Sequence, residues 1–165
     1  MKKIFFLFFL FGILDVSAQN NQIKVDLLDV LALRTFDISY ENQLNNEASV
    51  GVSMFFNFEP KDSNFRYHED FQITPYFRQF ITESRGFDVF GELFGSLNFA
   101  ETKKDANGST QNYSDFALGL GLGIKHISQN GYIFEINTGL GRNLFNSQVS
   151  REFVQRHGIS IGKQF

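Results

Sequence analysis

The sequence predicts an all-β fold: a closed, antiparallel, eight-stranded transmembrane β-barrel in an up-and-down meander. Three observations predict it. Apolar residues recur at a period of two along nearly the whole chain after residue 18, and a helix of period 3.6 cannot keep two such sets apart. The apolar set is large, aromatic and almost free of charge, whereas the opposite set is glycine, serine and scattered charge. Six of the seven connections between alternating segments are short and long in turn, as in membrane barrels, the short first loop being the exception.

Composition narrows the alternatives. With 165 residues, the chain accommodates one ordinary domain behind a short export segment. A content of 42% hydrophobic and 20% charged residues is too apolar for a disordered chain. The absence of Cys excludes disulfides, thiolate metal sites and a lipidated N-terminal cysteine. A net charge of −3 leaves no electrostatic footprint for nucleic acid.

The elements follow in order. Met1-Lys2-Lys3 is a basic start, Ile4 to Leu14 an apolar run, and Val16-Ser17-Ala18 a small-residue cleavage site. This is the layout of a secretory signal peptide over residues 1–18, leaving 19–165 as the barrel domain. The run is too short to span a bilayer, which takes about 20 residues.

Strand 1 sets Ile23, Val25 and Leu27 against Lys24 and Asp26, with a short first loop near Ala32–Arg34. Strand 2 sets Phe36, Ile38 and Tyr40 against Asp37, Ser39 and Glu41. Strand 3 sets Val50, Val52, Met54, Phe56 and Phe58 against Ser49, Gly51, Ser53 and Asn57. Strand 4 sets Phe71, Ile73, Phe77 and Ile81 against Gln72, Thr74, Tyr76 and Arg78. Strand 5 sets Phe87, Val89, Leu93, Leu97 and Phe99 against Asp88, Glu92, Ser96 and Asn98. Strand 6 is the cleanest, with Phe116, Leu118, Leu120, Leu122 and Ile124 against Ala117, Gly119, Gly121, Gly123 and Lys125. A hairpin signal, Asn130-Gly131, leads into strand 7. There Tyr132, Phe134, Ile136, Thr138 and Leu140 oppose Glu135, Asn137, Gly139, Gly141 and Asn143. Strand 8 sets Phe153, Ile159, Ile161 and Phe165 against Arg156, Gly158, Ser160, Gly162 and Gln164. Leu28, Phe55, Phe80, Phe90 and Phe94 break the alternation.

Alternation alone does not say which face is wet. An apolar face turned to lipid fits the glycine-rich opposite face, because eight strands enclose a narrow interior filled by side chains. Strand 6 from Phe116 to His126 is about 36 Å long at strand rise. Tilted by about 40°, it covers about 28 Å of bilayer. With a periplasmic N-terminus, the short connections Gln43–Glu47, Glu83–Gly86 and Ser128–Gly131 are periplasmic. The longer ones, Glu59–Asp70, Glu101–Asp115 and Asn146–Glu152, are external. Tyr40, Phe87, Tyr132 and Phe165 then fall at periplasmic strand ends. Phe36, Phe58, Phe71, Phe99, Phe116 and Phe153 fall at external ends, giving two aromatic girdles.

The last strand, Val154 to Phe165, resembles the C-terminal strand of Gram-negative outer-membrane barrels, whose terminal Phe is part of an insertion signal. More broadly, residues 19–165 resemble the small eight-stranded barrels of the OmpA/OmpX type. They are similar to a family of short barrels of unknown function, through a first strand like Ile23-Lys24-Val25-Asp26-Leu27-Leu28 and a second ending Ser39-Tyr40-Glu41. The resemblance implies residence in the outer membrane. It also implies contact with outer-membrane lipid and recognition of Phe165 by the insertion machinery.

Residues able to carry chemistry are few. Gly119-Leu120-Gly121-Leu122-Gly123 lacks the turn into a helix that a phosphate loop needs, so it belongs to the barrel interior. Lys24, Asp26, Asp37, Glu41, Arg78, Asp88, Glu92, Lys125, Glu135 and Arg156 form the interior polar set. Unpaired charge in a narrow interior is costly, so they are expected to pair as a structural plug, with a gate or proton path as the functional alternative. His126, Ser128 and Glu135 are weighed against the outer-membrane lipid A deacylases, barrels with a comparable His-x-Ser pair. Parity puts Glu135 inside and His126 outside, against a triad. His68-Glu69-Asp70 points alternate ways and converges poorly on a cation, and His157 has no partner at ligand spacing. Asn107-Gly108-Ser109 and Asn112-Tyr113-Ser114 match acceptor patterns but read as loop chemistry.

The expectation is therefore an outer-membrane barrel with a structural, anchoring or surface-interaction role, without catalysis, cofactor or metal. An extracellular partner would meet the loop Glu101–Asp115 through Lys103, Lys104, Asp105 and Asn107. A large-solute porin is disfavoured by the narrow lumen. The alternative in another class is a secreted soluble barrel holding a small apolar ligand.

Overall fold

The computed structural model describes residues 20–32, 34–60, 69–81, 86–101, 112–145 and 151–165. The expected signal peptide, His68 and the loop residues Lys103, Lys104, Asp105 and Asn107 lie outside them. The described residues form β1 (Asn21–Asp26), α1 (Leu27–Ala32), β2 (Thr35–Gln43), β3 (Ala48–Asn57), β4 (Phe71–Phe80), β5 (Asp88–Glu101), β6 (Asn112–Ile127), β7 (Tyr132–Asn143) and β8 (Phe153–Gln164). Each strand pairs antiparallel with the next, and β1 closes on β8, giving an eight-stranded up-and-down barrel. Closure is continued by backbone bonds from the Asn21 amide to the Phe165 carbonyl (3.3 Å) and back (2.9 Å). The end carrying these residues is called the near end; the long connections gather at the far end.

The register carries the alternation around the wall. Leu93, Leu120 and Leu140 stand side by side on β5, β6 and β7 and all point outward. Leu120 is 69% exposed, whereas Arg78, on the inner parity, is 1% exposed. A soluble barrel has the reverse arrangement, with its apolar side chains inside. Among the described residues no helix is long and apolar enough to cross a membrane; a barrel crosses with strands.

Three features depart from the elements expected from the sequence. Strand 1 stops at Asp26, and Leu27 belongs to α1 rather than to the strand. The Asp26 carboxylate ends the strand by capping the helix: Oδ1 accepts from the amides of Leu28 (2.8 Å) and Asp29 (3.2 Å). Arg34, in the left-handed region at φ 47°, turns the chain out of the helix into β2. The first connection thus runs over 27–34 and is not short. All far-end connections are consequently longer than the near-end turns 44–47 and 128–131.

The phenylalanines on the polar parity are the second departure. Phe55, Phe90 and Phe94 are buried in the lumen, Phe90 at 0% exposure. Glycines make room for Phe90 and Phe94. A Cβ on Gly119 would overlap the Phe94 ring, and one on Gly123 would overlap Phe90. Third, Glu101 and residues Asn112 to Asp115 are strand, so the fifth connection narrows to 102–111 and Asn112-Tyr113-Ser114 lies on β6.

Aromatic rings gather at both ends of the outer face. At the far end Phe56, Phe71 and Phe99 form a tilted series, with centroids 5.0 and 5.8 Å apart. At the near end Phe87 packs on His126 at 5.1 Å, and Lys163 lies over Tyr132 at 4.3 Å.

Candidate functional site

The lumen holds the densest polar chemistry in the molecule. Inward parity and register place it. Arg78 stands opposite Glu92 across β4 and β5, and Lys125 opposite Glu135 across β6 and β7. Arg78 Nε reaches Glu92 Oε2 at 2.7 Å. Most of the remaining bonds reach beyond the neighbouring strand. Lys24 Nζ on β1 is 2.7 Å from Glu41 on β2 and 2.7 Å from Glu135 on β7. One Arg78 nitrogen bonds Glu41 and Glu135 at 2.8 Å each. Lys125 pairs with Glu41 and lies 3.7 Å from Glu135. Arg156 on β8 bonds Glu92 at 2.7 Å and the Ser53 hydroxyl at 2.9 Å.

Neutral donors and rings complete the network. Ser49 donates to Glu41 at 2.7 Å and Tyr76 donates to it at 3.2 Å. The Arg78 guanidinium lies between the rings of Tyr76 and Phe90, at 4.4 and 4.2 Å from their centroids. Such stacking favours a desolvated cation. Every buried charge here meets an opposite charge and further hydrogen bonds, the condition under which burial is tolerated.

The predicted interior residues divide into three groups. Lys24, Glu41, Arg78, Glu92, Lys125, Glu135 and Arg156 come together in this network. Asp26 and Asp37 lie beyond it toward the far end, beside a cavity of about 40 Å³. Asp88 is half-buried at the near end of β5 and takes no part in the network. Phe165 follows β8 at the near end, exposed.

The hydrolase constellation is not assembled. Glu135 is committed to Lys24 and Arg78 inside the lumen. His126 lies on the outer face against Gly86 and Phe87, and the Ser128 hydroxyl accepts from the Tyr132 amide at 3.0 Å. His157 is exposed on the outer face of β8, beside Thr138. Among the described residues no group of three His, Asp or Glu side chains is placed to hold a metal ion.

Sequence reasoning missed two participants. Gln22 accepts from Lys125 at 3.0 Å. Asp29 is carried into the lumen by α1, and is 4% exposed. Its signal was the spacing Asp26-x-x-Asp29, an N-cap residue followed by an acid in the first helical turn.

With this geometry established, the comparisons with known proteins are consistent in kind. A family model described as a protein of unknown function (DUF3575) matches residues 4–161. The backbone structure of the Yersinia pestis outer membrane protein Ail in a phospholipid bilayer nanodisc is similar, at 15% identity, TM-score 0.50 and coverage of 89% of this chain and 99% of that one. The crystal structure of Ail, the attachment invasion locus protein of Yersinia pestis, is similar at 13% identity, TM-score 0.51 and the same coverage of 89% and 99%. No curated protein matches the sequence. At these identities the likeness is one of fold: the chain has the architecture of a small outer-membrane barrel.

Proposed function

The chain belongs to the DUF3575 family of proteins of unknown function, and from that premise we propose that it is an outer-membrane anchor whose far-end loops form a surface for contact outside the cell. The observation that carries this reading is the inversion of the wall, with leucines exposed on the outside while a satisfied ion network is buried within. Only a lipid solvent makes that arrangement favourable for an isolated barrel. The similar barrel Ail was itself studied in a phospholipid bilayer nanodisc, and it is the attachment invasion locus protein of Yersinia pestis.

In this reading residues 1–18 direct export and are removed. The near end, with its short turns and Phe165, faces the periplasm, and Phe165 is read by the insertion machinery. The connections over 27–34, 58–70, 102–111 and 144–152 face outward. Lys103, Lys104, Asp105 and Asn107 supply the polar contact surface. The lumen network is a structural plug, and the protein is not an enzyme.

The test uses cell fractionation, then gel mobility with and without boiling, then labelling of whole cells carrying Asp105→Cys. The chain has no native Cys to confuse the label. The reading expects an outer-membrane fraction, heat-modifiable mobility and labelling of intact cells by an impermeant maleimide. A protein that is monodisperse in buffer without detergent would overturn it in favour of a soluble barrel.

A further inference from the structure

Beyond the ion network, toward the far end, the lumen widens into a small chamber of about 40 Å³, room for about three waters when one needs at least 10–15 Å³. Its wall includes Asp26 of β1, Asp29 of α1, Asp37 of β2 and Arg156 of β8. The charges are unbalanced. Arg78 and Glu135, also on this wall, are paired with each other, which leaves three carboxyls facing one guanidinium that already serves Glu92 and Ser53. Asp26 spends its oxygens on the helix amides and on Ser160. Asp29 is 4% exposed, and its Oδ1 is the one buried side-chain polar atom among the described residues without a hydrogen-bond partner.

A buried carboxylate oxygen with nothing to accept from is costly as an anion. No three carboxyl or imidazole groups among the described residues are placed to hold a metal ion. A proton needs no such shell. We propose that Asp29 is a proton-binding site, and that its protonation latches α1 into the far mouth of the barrel.

The geometry makes α1 a latch. It packs against β8 and β2. Asp26 caps its first turn, and the Thr35 hydroxyl donates to the Asp29 carbonyl at 3.2 Å. The titratable or charged groups facing Asp29 from these elements are Asp26, Asp37 and Arg156; His157 on β8 has its side chain on the outer face. Burial first, then the charges of Asp26 and Asp37, push the Asp29 carboxyl up to about 7. Released into water, the same group ionises near 3.9. The seated helix is therefore favoured fully below about pH 4, and that advantage is lost as the pH rises to about 7. An ionised Asp29 facing Asp26 and Asp37 pushes the helix out of the mouth. This inference does not depend on the surface-contact reading, since it concerns the folded barrel in any lipid or detergent.

The chamber wall offers a reporter. Ser96 lines the chamber and is buried, and the chain contains no other thiol. The rate at which a charged methanethiosulfonate modifies Ser96→Cys is measured in the detergent-folded barrel from pH 5 to 9. The same rate is measured with Asp29→Asn added, and the ratio of the two cancels the thiol's own ionisation. The ratio is expected to rise at least about tenfold between pH 5 and 8 and then level off. Adding Asp37→Asn to both proteins moves the midpoint to lower pH. A ratio flat across the range, or a midpoint unmoved by Asp37→Asn, overturns the proposal. If Ser96→Cys loses heat-modifiable mobility, Ser39→Cys on the same chamber wall replaces it.

Discussion

Leu120 and Glu41 face opposite sides of one wall and obey opposite rules. Leu120 projects from the middle of β6, flanked by Leu93 and Leu140. An arginine there would have to reach water from hydrocarbon, so Leu120→Arg is expected to cost about 2–4 kcal/mol. Reversible urea unfolding in lipid vesicles measures this, and an unchanged midpoint would reverse the assignment of faces. Glu41 accepts from Lys24, Arg78, Lys125, Ser49 and Tyr76. Glu41→Gln keeps the shape but leaves three cations short of an anion, at a cost of about 3–5 kcal/mol. The same unfolding assay reads it, and a loss below 1 kcal/mol would mean that water reaches the network. At this scale the sequence was legible wherever side-chain polarity alone decided the face. It was not legible at Phe90 and Phe94, whose place inside depends on glycines of neighbouring strands and on cations, Arg78 from the adjacent strand and Arg156 from across the lumen. Such partners are set by register, which no single segment encodes.

Legibility also varies from element to element, for a physical reason. β6, β7 and β8 separate their two faces over many residues, so the period of two is unmistakable. The turn between β6 and β7 was legible through Asn130-Gly131, where Gly131 takes φ 76° and its amide bonds the Ser128 carbonyl at 2.8 Å. α1 was not legible, because Leu27–Ala32 is too short to show a period of 3.6 and Leu27 happens to continue the alternation of β1. The cap is what separates helix from strand there. Asp26→Ala should therefore cost about 1 kcal/mol of local stability. Asp26→Asn, which keeps an acceptor, should cost far less. Amide exchange at Leu28 and Asp29 distinguishes the two. Equal protection in both variants would show that the cap does not hold the helix.

For the molecule as a whole, the fold was readable as a count of alternating segments, but the state of its lumen was not. Alternation predicts that charges face inward; it does not predict that Lys24, Arg78 and Lys125 converge on two glutamates from opposite walls. That convergence ties β1, β2, β4, β6 and β7 together across the barrel, and Arg156 and Glu92 extend it to β8 and β5. Phe90 and Phe94 fill the space between. An ion passing through would have to break several charge-assisted bonds at once. The intact protein is therefore expected to show no stable conductance steps in planar bilayers. Arg78→Ala removes bonds to Glu41, Glu92 and Glu135 together and is expected to introduce a leak. The pair Arg78→Glu with Glu92→Arg tests a finer point. It preserves the cross-strand bond but puts a carboxylate where Glu41 and Glu135 need a cation. If the plug depends on the cross-lumen bonds, the exchanged pair leaks like Arg78→Ala; if the cross-strand bond alone sufficed, the exchanged pair would stay closed. Well-resolved steps in the unmodified barrel would mean that the network parts under voltage and serves as a gate.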